Sequence, residues 1–599
     1  MKRRFFIAAI LLSPVAALAQ YWSDYVLEKA FDPRDYFLRP HRILSLSLKN
    51  LDAGLLGILP DPLSEMSFQP ATLSSISGAR LYIDLKGSSE KNLVFKNRFY
   101  PIYAYDNAVF APPYWGQPVE RKLEPVLSAI YIGDIAATFV PGFKYAVAYE
   151  LIHHRGTFYE YIPFYYLRGY DAFGAEDAAS KNFPDLDPNV KRDGLDEKAE
   201  TAHLMDAYLS LKLAPFLSVG GKVGRIQTEV VGDYLRLNRY DDMSSTYRYN
   251  SFYLDEKNKD VSLEQTEYSA GALLTISDSR QIGAFAGRIT GNHTQRDADI
   301  DSSFSAWGDE SQSDYFGRWR YSHLSHSRWQ HRGTTRYAGV HGQLPMQGDI
   351  AVRFRAEYLK SSVDLSNGDD IADTSYSRYR FRYYEDNQIY DEIWSSNFSD
   401  RRSGSGTEET VQRTAAAGLV VPMYRRSELV IGAFVETAES SVLLYEDALV
   451  RRGSHQETPT PWRQPESVLG FEDKTLRLTR NTKTARLALP IAMSFYLGRG
   501  FTANLGVVKQ FNEIDSDEMV DIWFRADSTV TITPGGKTVI AKPERIDRYF
   551  AVPVHRSDTS TDFNFGATFE PGRRVRFDVG MGSSLGELKN WQFAVLLKL

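Results

Sequence analysis

Histidine is the residue type whose spacing in this sequence most suggests metal chemistry. His323, His326 and His331 lie close together along the chain. A metal site needs convergent ring nitrogens and usually a carboxylate. The neighbours here include Arg328 and Arg332, whose positive charges disfavour a bound cation. We therefore predict a solvated loop at these histidines and no metal site.

Acidic side chains offer a second possible cation chemistry. The segment Asp185–Asp196 opens with the alternating oxygen ligands of a calcium loop, but Val190 stands where such a loop needs glycine. A second acidic run, Asp297–Asp301, is too short to be judged as a calcium loop. Both are predicted as solvated, charged loops, and no cofactor is expected.

Enzyme motifs are the next class of chemistry to consider. The chain has no cysteine among its 599 residues, which excludes thiol nucleophiles, disulfides and cysteine metal sites. It contains no Walker loop, no dinucleotide fingerprint and no His-Glu-x-x-His motif. Serine, histidine and acidic residues occur in no ordered signature. We predict that the protein is not an enzyme and name no catalytic residue.

Aromatic side chains form a dense cluster between Phe158 and Tyr166. Such a cluster could form a surface platform for lipid or saccharide, because aromatic faces stack on sugars. The alternative is an aromatic girdle at a lipid–water interface, continued by strands that extend past the membrane. The candidate ligand-binding residues in this cluster are Tyr159, Tyr161, Phe164 and Tyr165.

The first residues of the chain indicate export. Lys2, Arg3 and Arg4 precede an apolar run from Phe5 to Leu12, and Ala17-Leu18-Ala19 gives a small-x-small cleavage site. This is the pattern of a cleaved secretory signal peptide over residues 1–19, with Gln20 as the first mature residue. No later stretch approaches 18 uncharged apolar residues, so no transmembrane helix is predicted. The net charge of -6 argues against a nucleic-acid partner.

The elements that must position these residues are amphipathic strands joined by short turns. Apolar residues occupy every second position from Leu487 to Phe495, the turn Gly498–Gly500 follows, and Phe501 to Lys509 runs back. A period of two places alternate side chains on opposite faces of a sheet. The same unit recurs at six other turns: Pro141-Gly142, Ala214–Phe216, Ser277–Arg280, Met346–Gly348, Tyr424–Ser427 and Pro571-Gly572.

Between these hairpins lie long polar stretches, such as 294–333 and 364–410, which we interpret as outer loops. Short turns alternating with long loops are typical of outer-membrane barrels. We therefore predict an all-β fold, a transmembrane antiparallel β-barrel over residues 79–599, in a Gram-negative outer membrane. Lipid and lipopolysaccharide would be its surroundings.

The strand count rests on two further segments. Ala79–Lys86 alternates, and Trp591–Leu599 is apolar at every second position. The latter resembles the C-terminal signal read by the barrel assembly machinery. Added to the fourteen hairpin strands, these two predict sixteen; fourteen is the alternative if the first segment lies inside the barrel.

Residues 20–78 do not alternate and are predicted as a plug or periplasmic segment. The stretch containing Gln69-Pro70-Ala71-Thr72-Leu73 precedes the first strand and resembles the N-terminal region of long-chain fatty-acid-transporter-like (FadL-type) channels. That resemblance implies a barrel plugged by its own N-terminus that passes hydrophobic small molecules. The alternative is an apolar linker bent by its prolines. The candidate plug residues are Leu59, Pro60, Asp61, Pro62, Phe68 and Pro70.

The function predicted from these features is a porin-like or plugged channel for passive uptake of small, possibly hydrophobic, solutes. Around sixteen strands enclose a lumen wide enough for this unless something fills it. There are two alternatives. One is a non-transporting surface protein for adhesion or envelope assembly, and the other, less favoured, is a barrel enzyme. Neither the solute nor the oligomeric state follows from the sequence.

Overall fold

The computed structural model describes residues 38–49, 55–86, 96–100, 114–117, 127–134, 142–156, 195–243, 248–277, 279–308, 314–346, 349–383, 385–424, 427–457, 464–550, 554–583 and 591–599. The predicted signal peptide with its cleavage site before Gln20 lies outside the described residues. So do the loop aromatics Tyr159, Tyr161, Phe164 and Tyr165.

The N-terminal part is formed by three short helices: α1 (Leu46–Lys49), α2 (Pro62–Glu65) and a 3-10 helix, η1 (Pro70–Ser75). Asp61 caps α2, and proline occupies the first position of both α2 and η1, where its missing N–H costs nothing. None of the helices in the described ranges has the length and apolar character needed to cross a membrane.

Strands make up the rest of the described chain. The first seven are β1 (Arg80–Lys86), β2 (Lys96–Tyr100), β3 (Tyr114–Gln117), β4 (Leu127–Asp134), β5 (Phe143–Gly156), β6 (Leu195–Ala214) and β7 (Leu217–Met243). The next seven are β8 (Arg248–Ser277), β9 (Arg280–Trp307), β10 (Phe316–Pro345), β11 (Ala351–Arg382), β12 (Ile389–Pro422), β13 (Glu428–Gln456) and β14 (Glu466–Gly498). The last six are β15 (Phe501–Thr533), β16 (Gly536–Lys542), β17 (Arg545–Phe550), β18 (Val554–Phe569), β19 (Val575–Ser583) and β20 (Trp591–Lys598).

Sixteen of these strands close into one antiparallel ring. In the 18-stranded sheet, β16 and β17 pair only with the far part of β15, and the remaining strands follow each other around the ring. The ring closes through β1, which pairs with β20 on one side and β4 on the other, with Arg80 opposite Lys598. The prediction of sixteen strands is therefore confirmed over the described residues, and the first segment is part of the wall.

The strand ends that flank the seven predicted hairpin turns all lie at one end of the ring, which we call the short-turn end. Both Ala79 and Leu599 lie there too, joined by a hydrogen bond of 3.0 Å from the Leu599 amide to the Ala79 carbonyl. At the turn between β14 and β15, Gly498 and Gly500 have φ of 100° and 79°. Glycine adopts these angles without steric cost, which is why the turn can be so tight.

The polar stretches 294–333 and 364–410 were predicted as loops, and this is wrong. Strand β9 continues to Trp307 and β10 begins at Phe316, while β11 continues to Arg382 and β12 begins at Ile389. These parts of the strands carry polar side chains on both faces, so the sequence shows no alternation. Cross-strand backbone pairing holds them as sheet all the same.

Side chains near the short-turn end divide cleanly between two faces. On the outer face apolar residues are exposed, among them Ile431 at 43%, Leu489 at 42% and Ile491 at 47%. This apolar belt and the closed ring identify a transmembrane β-barrel. A crossing strand needs about 9–11 residues, whereas β12 has 34. The strands therefore continue well beyond the belt, and we call this part the extension.

Candidate functional site

Residues 38–49 and 55–79, which we call the luminal segment, lie inside the ring. Their apolar side chains are fully buried, including Ile43, Ile58, Met66, Phe68 and Leu73 at 0% exposure. They form two clusters with inward-facing residues of the wall strands. The segment thus occupies part of the lumen near the short-turn end.

Four of the predicted plug residues come together in the structure. Leu59, Pro60, Asp61 and Pro62 line one side of a cavity of about 310 Å³. The Asp61 carboxylate accepts hydrogen bonds from the Leu63 amide at 3.2 Å and the Ser64 hydroxyl at 2.5 Å. These bonds cap α2, so the structure gives Asp61 a role in shaping the segment.

Phe68 and Pro70, the other two predicted plug residues, lie on either side of the residue that fixes the segment to the wall. Gln69 is fully buried, and its Nε2 donates to the backbone carbonyls of Ala272 on β8, at 2.8 Å, and Ala284 on β9, at 3.1 Å. A side-chain amide of the segment therefore bonds directly to the backbone of two adjacent wall strands.

Glycines in the wall make this approach possible. A Cβ atom on Gly220 would lie 2.5 Å from the Pro70 carbonyl carbon, and one on Gly283 would lie 2.7 Å from Gln69 Nε2. A Cβ on Gly271 would collide with the Gln69 side chain. Gly220 and Gly271 are register partners on β7 and β8. We call these three residues the glycine seat, because only glycine leaves room there for the segment.

A buried cluster of charges forms a second attachment. His41 Nε2 lies 2.9 Å from Glu150 on β5, and His41 Nδ1 lies 3.1 Å from Asp206 on β6. The backbone amide of His41 donates to Glu267 on β8 at 3.0 Å. Burial alone would lower the pKa of His41, but the carboxylates of Asp206 and Glu150 outweigh it and raise the pKa to about 9. The imidazole is therefore a cation at neutral pH.

Two further cations balance the carboxylates of this cluster. Lys222 Nζ donates to the His41 carbonyl at 2.8 Å and to Glu267 at 3.0 Å. Arg42 donates to Glu357 on β11 at 2.9 Å, and its guanidinium lies 5.1 Å from the ring centre of Tyr337. The charges of five strands thus converge on two adjacent residues of the luminal segment.

A cavity of about 240 Å³ lies between the luminal segment and strands β11 to β14. Its lining combines apolar and charged side chains: Leu44, Leu56, Leu359 and Phe434, with Arg39, Arg42, Arg355 and Arg486 and the acids Glu357 and Glu436. Arg355 is 7% exposed, and its guanidinium lies 5.5 Å from the Phe68 ring centre. Within the described residues, Arg355 Nε and Nη1 have no hydrogen-bond partner. The cavity therefore offers positive charge beside an apolar surface.

The histidines and acids predicted as solvated loops lie in strands instead. His323, His326 and His331 belong to β10, and Asp297–Asp301 belongs to β9. His331 is buried and stacks on His293, with ring centres 5.2 Å apart. Both loop predictions are wrong for the physical reason given above, since paired backbone needs no apolar alternation. Most of the segment that begins at Asp185 lies outside the described residues.

One group of metal-type donors escaped the sequence prediction. Glu513 and Asp515 on β15 face His555 on β18, with donor atoms all within 4.8 Å of one another. All three side chains are exposed on the outer face, and His555 already hydrogen-bonds to Asp515.

The extension has its own buried charge network. Arg402 on β12 donates to Asp400 at 2.7 Å and to Glu446 on β13 at 3.2 Å. Burial raises the pKa of Glu446 to about 7, although Arg402 opposes the shift. Glu446 lies far beyond the stretch of β13 that crosses the belt, so this carboxyl titrates outside the membrane.

Comparison with known proteins yields structural likeness only. No protein-family model matches the sequence, and no curated protein matches it significantly. Among solved structures, a FadL homologue of Pseudomonas aeruginosa is similar at 10% identity and a TM-score of 0.30, over 92% of this chain and 97% of that one. The ferric yersiniabactin uptake receptor FyuA of Yersinia pestis follows at 6% identity and a TM-score of 0.23, over 87% and 80%. The chain weakly resembles the FadL-type channels, and values this low carry no information about activity.

Proposed function

We propose that this protein is an outer-membrane barrel that takes up small hydrophobic solutes carrying a negative group. The observation behind the proposal is the cavity of about 240 Å³ in which Arg355 has two unpartnered donors. A buried guanidinium with free N–H groups is costly unless an anion satisfies it. The leucines and Phe434 beside it suit an apolar body. A carboxylate with a short alkyl chain has both properties.

Placement in the outer membrane is supported by three features. The outer face carries an apolar belt near the short-turn end, the chain begins with a signal-peptide pattern, and the strand Trp591–Lys598 alternates and resembles the C-terminal signal that the barrel assembly machinery reads. In this placement the short turns face the periplasm and the extension faces outward. Lipid and lipopolysaccharide surround the belt.

The luminal segment acts as a plug in this proposal. It lies inside the ring and is held at the glycine seat and at the His41 charge cluster. Solute passage requires that part of it move, since its side chains pack against the wall. In this proposal uptake is passive, driven by the concentration gradient of the solute.

The first test is conductance in a planar bilayer. The intact protein is compared with a variant that lacks residues 21–70. We expect a closed intact barrel and steady conductance only in the truncated one. Steady conductance in the intact protein would contradict the plug. Silence from both, with folding shown by heat-modifiable mobility, would favour a non-transporting surface protein, the alternative that the long extension supports.

The second test is ligand binding with decanoate as probe and decanol as its neutral counterpart. Arg355→Gln keeps the side-chain bulk and removes the charge, and we expect it to weaken decanoate binding roughly tenfold, as loss of one charge-assisted pair predicts. Decanol binding should not change. The matched control is Arg413→Gln, a charge loss on the exposed outer face. Equal decanoate affinity in both variants would contradict the proposal.

A further inference from the structure

A row of three like charges crosses the outer face of strands β9, β10 and β11. Arg288 is the register partner of Arg336, and Arg336 is the register partner of Lys360. All three side chains are exposed. Partners in register have Cβ atoms about 4.5–5.5 Å apart, and like charges at that spacing destabilise a sheet. We call these three residues the basic row.

In the part of the chain that the structure describes, two members of the basic row have no protein counter-charge, and the third has a weak one. Within the described residues, no ion pair or hydrogen bond involves the side chain of Arg288 or Arg336, and Lys360 reaches Glu409 only at 4.0 Å with both side chains more than half exposed. An anion from the surroundings would relieve this repulsion.

The height of the row relates it to the membrane surface. Strand β9 begins at Arg280 and β11 at Ala351, so Arg288 and Lys360 lie about nine residues from the short-turn end, where a membrane crossing ends. Below the row the outer face is apolar, with Val340 and Tyr358 exposed at 45% and 47%, and Tyr268, the register partner of Arg288 on β8, is exposed at 56%. The row therefore lies where the outer belt meets lipid headgroups.

A concavity of about 660 Å³ opens directly above the row. Arg225, Arg288 and Arg332 line it, together with Glu264 and Asp364. The concavity and the basic row together contain five basic side chains and two acidic ones. Both acids lie further from the belt than the row, since Asp364 is the register partner of Arg332. The concavity is therefore most cationic on the side that faces the membrane.

Small side chains give the belt below the row a shallow surface. Ala284, Ala286, Ala338 and Ala356 are exposed on the outer face of β9, β10 and β11. Alkyl chains can lie flat against such a surface and bury apolar area. Strand β14, three strands away from β11 around the ring, differs, because its outward cation Lys483 has acidic neighbours: it lies in register between Glu439 and Asp515.

We propose that this face, the basic row with the concavity above it, binds a phosphate-bearing glycolipid of the outer leaflet. Its phosphates accept hydrogen bonds from the arginines, its sugar hydroxyls meet Glu264 and Asp364, and its acyl chains lie along the alanines. Arginine favours phosphate because its planar fork can donate two hydrogen bonds at once. The inference rests on the proposed outer-membrane placement and is independent of what passes through the lumen.

The test compares two triple variants of the full chain in detergent. Arg288→Gln, Arg336→Gln and Lys360→Gln remove the row, and Arg477→Gln, Lys483→Gln and Lys509→Gln remove three cations on the outer face of β14 and β15, away from the row. The probes are a bisphosphorylated, hexa-acylated glycolipid, the same lipid without phosphates, and inorganic phosphate. Binding is measured by native mass spectrometry, and folding by heat-modifiable mobility.

We expect the row variant to bind the bisphosphorylated glycolipid at least roughly tenfold more weakly than the wild type, a loss equal to one charge-assisted pair. The control variant should stay close to the wild type. Equal losses in both variants, equal binding of the dephosphorylated lipid, or equally tight binding of inorganic phosphate would each overturn the proposal. Cell fractionation separates this result from the proposed placement: a protein absent from the outer membrane refutes the placement, whatever the lipid binding in detergent.

Discussion

The Nε2 atom of His41 lies 2.9 Å from the carboxylate of Glu150, a residue 109 positions further along the chain. This contact joins the luminal segment to the inner wall of the barrel. The Asp206 carboxylate contacts the other ring nitrogen, Nδ1, so the imidazole lies between carboxylates of two adjacent strands. One side chain of the segment therefore offsets the repulsion between two buried acids.

Replacing His41 by alanine should loosen the luminal segment. The substitution leaves Glu150 and Asp206 buried with less positive charge nearby, and breaking a buried ion pair typically costs about 3–5 kcal/mol. We expect faster amide hydrogen exchange in residues 55–76 and intermittent conductance in a planar bilayer. Arg413→Ala, on the exposed outer face, is the control. Unchanged exchange in the His41 variant would show that the segment is held elsewhere.

The attachment should weaken at high pH. The pKa of His41 is raised to about 9 when the segment is docked, against 6.5 when it is free. Because the pKa is raised on docking, the ion pair stabilises the docked segment fully below about pH 6.5. This stabilisation is lost as the pH rises through about 9. Conductance of the wild type should therefore increase between pH 8 and 10. The same titration of His41→Gln should show no step, and a step in that variant would assign the effect to another group.

Gly271→Ala should displace the segment from the wall. The new Cβ atom collides with the Gln69 side chain, and overpacking of this kind costs about 1–3 kcal/mol. Gly221→Ala is the control, because its Cβ atom would meet nothing closer than 3.6 Å. Combining Gly271→Ala with Gln69→Ala should restore part of the loss measured by hydrogen exchange. A double variant as loose as the sum of both single variants would argue against direct contact.

Glu446→Gln should stabilise the extension above neutral pH. Burial raises the pKa of Glu446 to about 7, so the folded state favours the protonated carboxyl. The contribution of Glu446 to the free energy of unfolding is fully present below about pH 4.5. It falls by up to about 3 kcal/mol as the pH rises through about 7. The variant should resist protease equally at pH 5 and 8, whereas the wild type should be cut faster at pH 8. Glu439→Gln, with a side chain 59% exposed, should behave like the wild type.

The wall near the short-turn end could be predicted from the sequence because lipid imposes a pattern there. Apolar residues at every second position, as from Leu487 to Phe495, and turns such as Gly498–Gly500 marked each hairpin correctly. The extension could not be predicted in this way. Around His326 and Asp370 the outer face is polar, and buried charged residues such as Asp369 and Arg402 occupy the inner face, so the sequence there lacks the apolar alternation that lipid imposes.

The candidate site was only partly accessible from sequence. The prolines and Phe68 marked the region that packs inside the ring, and the attachment itself depends on Gln69 and His41, which no local motif distinguishes. Their partners lie far along the chain: Ala272 is 203 positions from Gln69. Only the closed ring brings such residues together, and the glycine seat likewise depends on neighbouring strands being in register.

Closure of the ring through β1 and β20 also constrains the order of assembly. The luminal segment directly precedes β1. The pairing that closes the ring is short, because β1 has 7 residues and its partner β20 has 8. The segment must therefore already be in position when these two strands join, since afterwards it could enter only through an end of the cylinder. Folding of the first part of the chain and insertion of the strand Trp591–Lys598 are thus coupled steps. A substitution that impairs the luminal segment would therefore also impair closure of the ring by the last strand, and the reverse also holds.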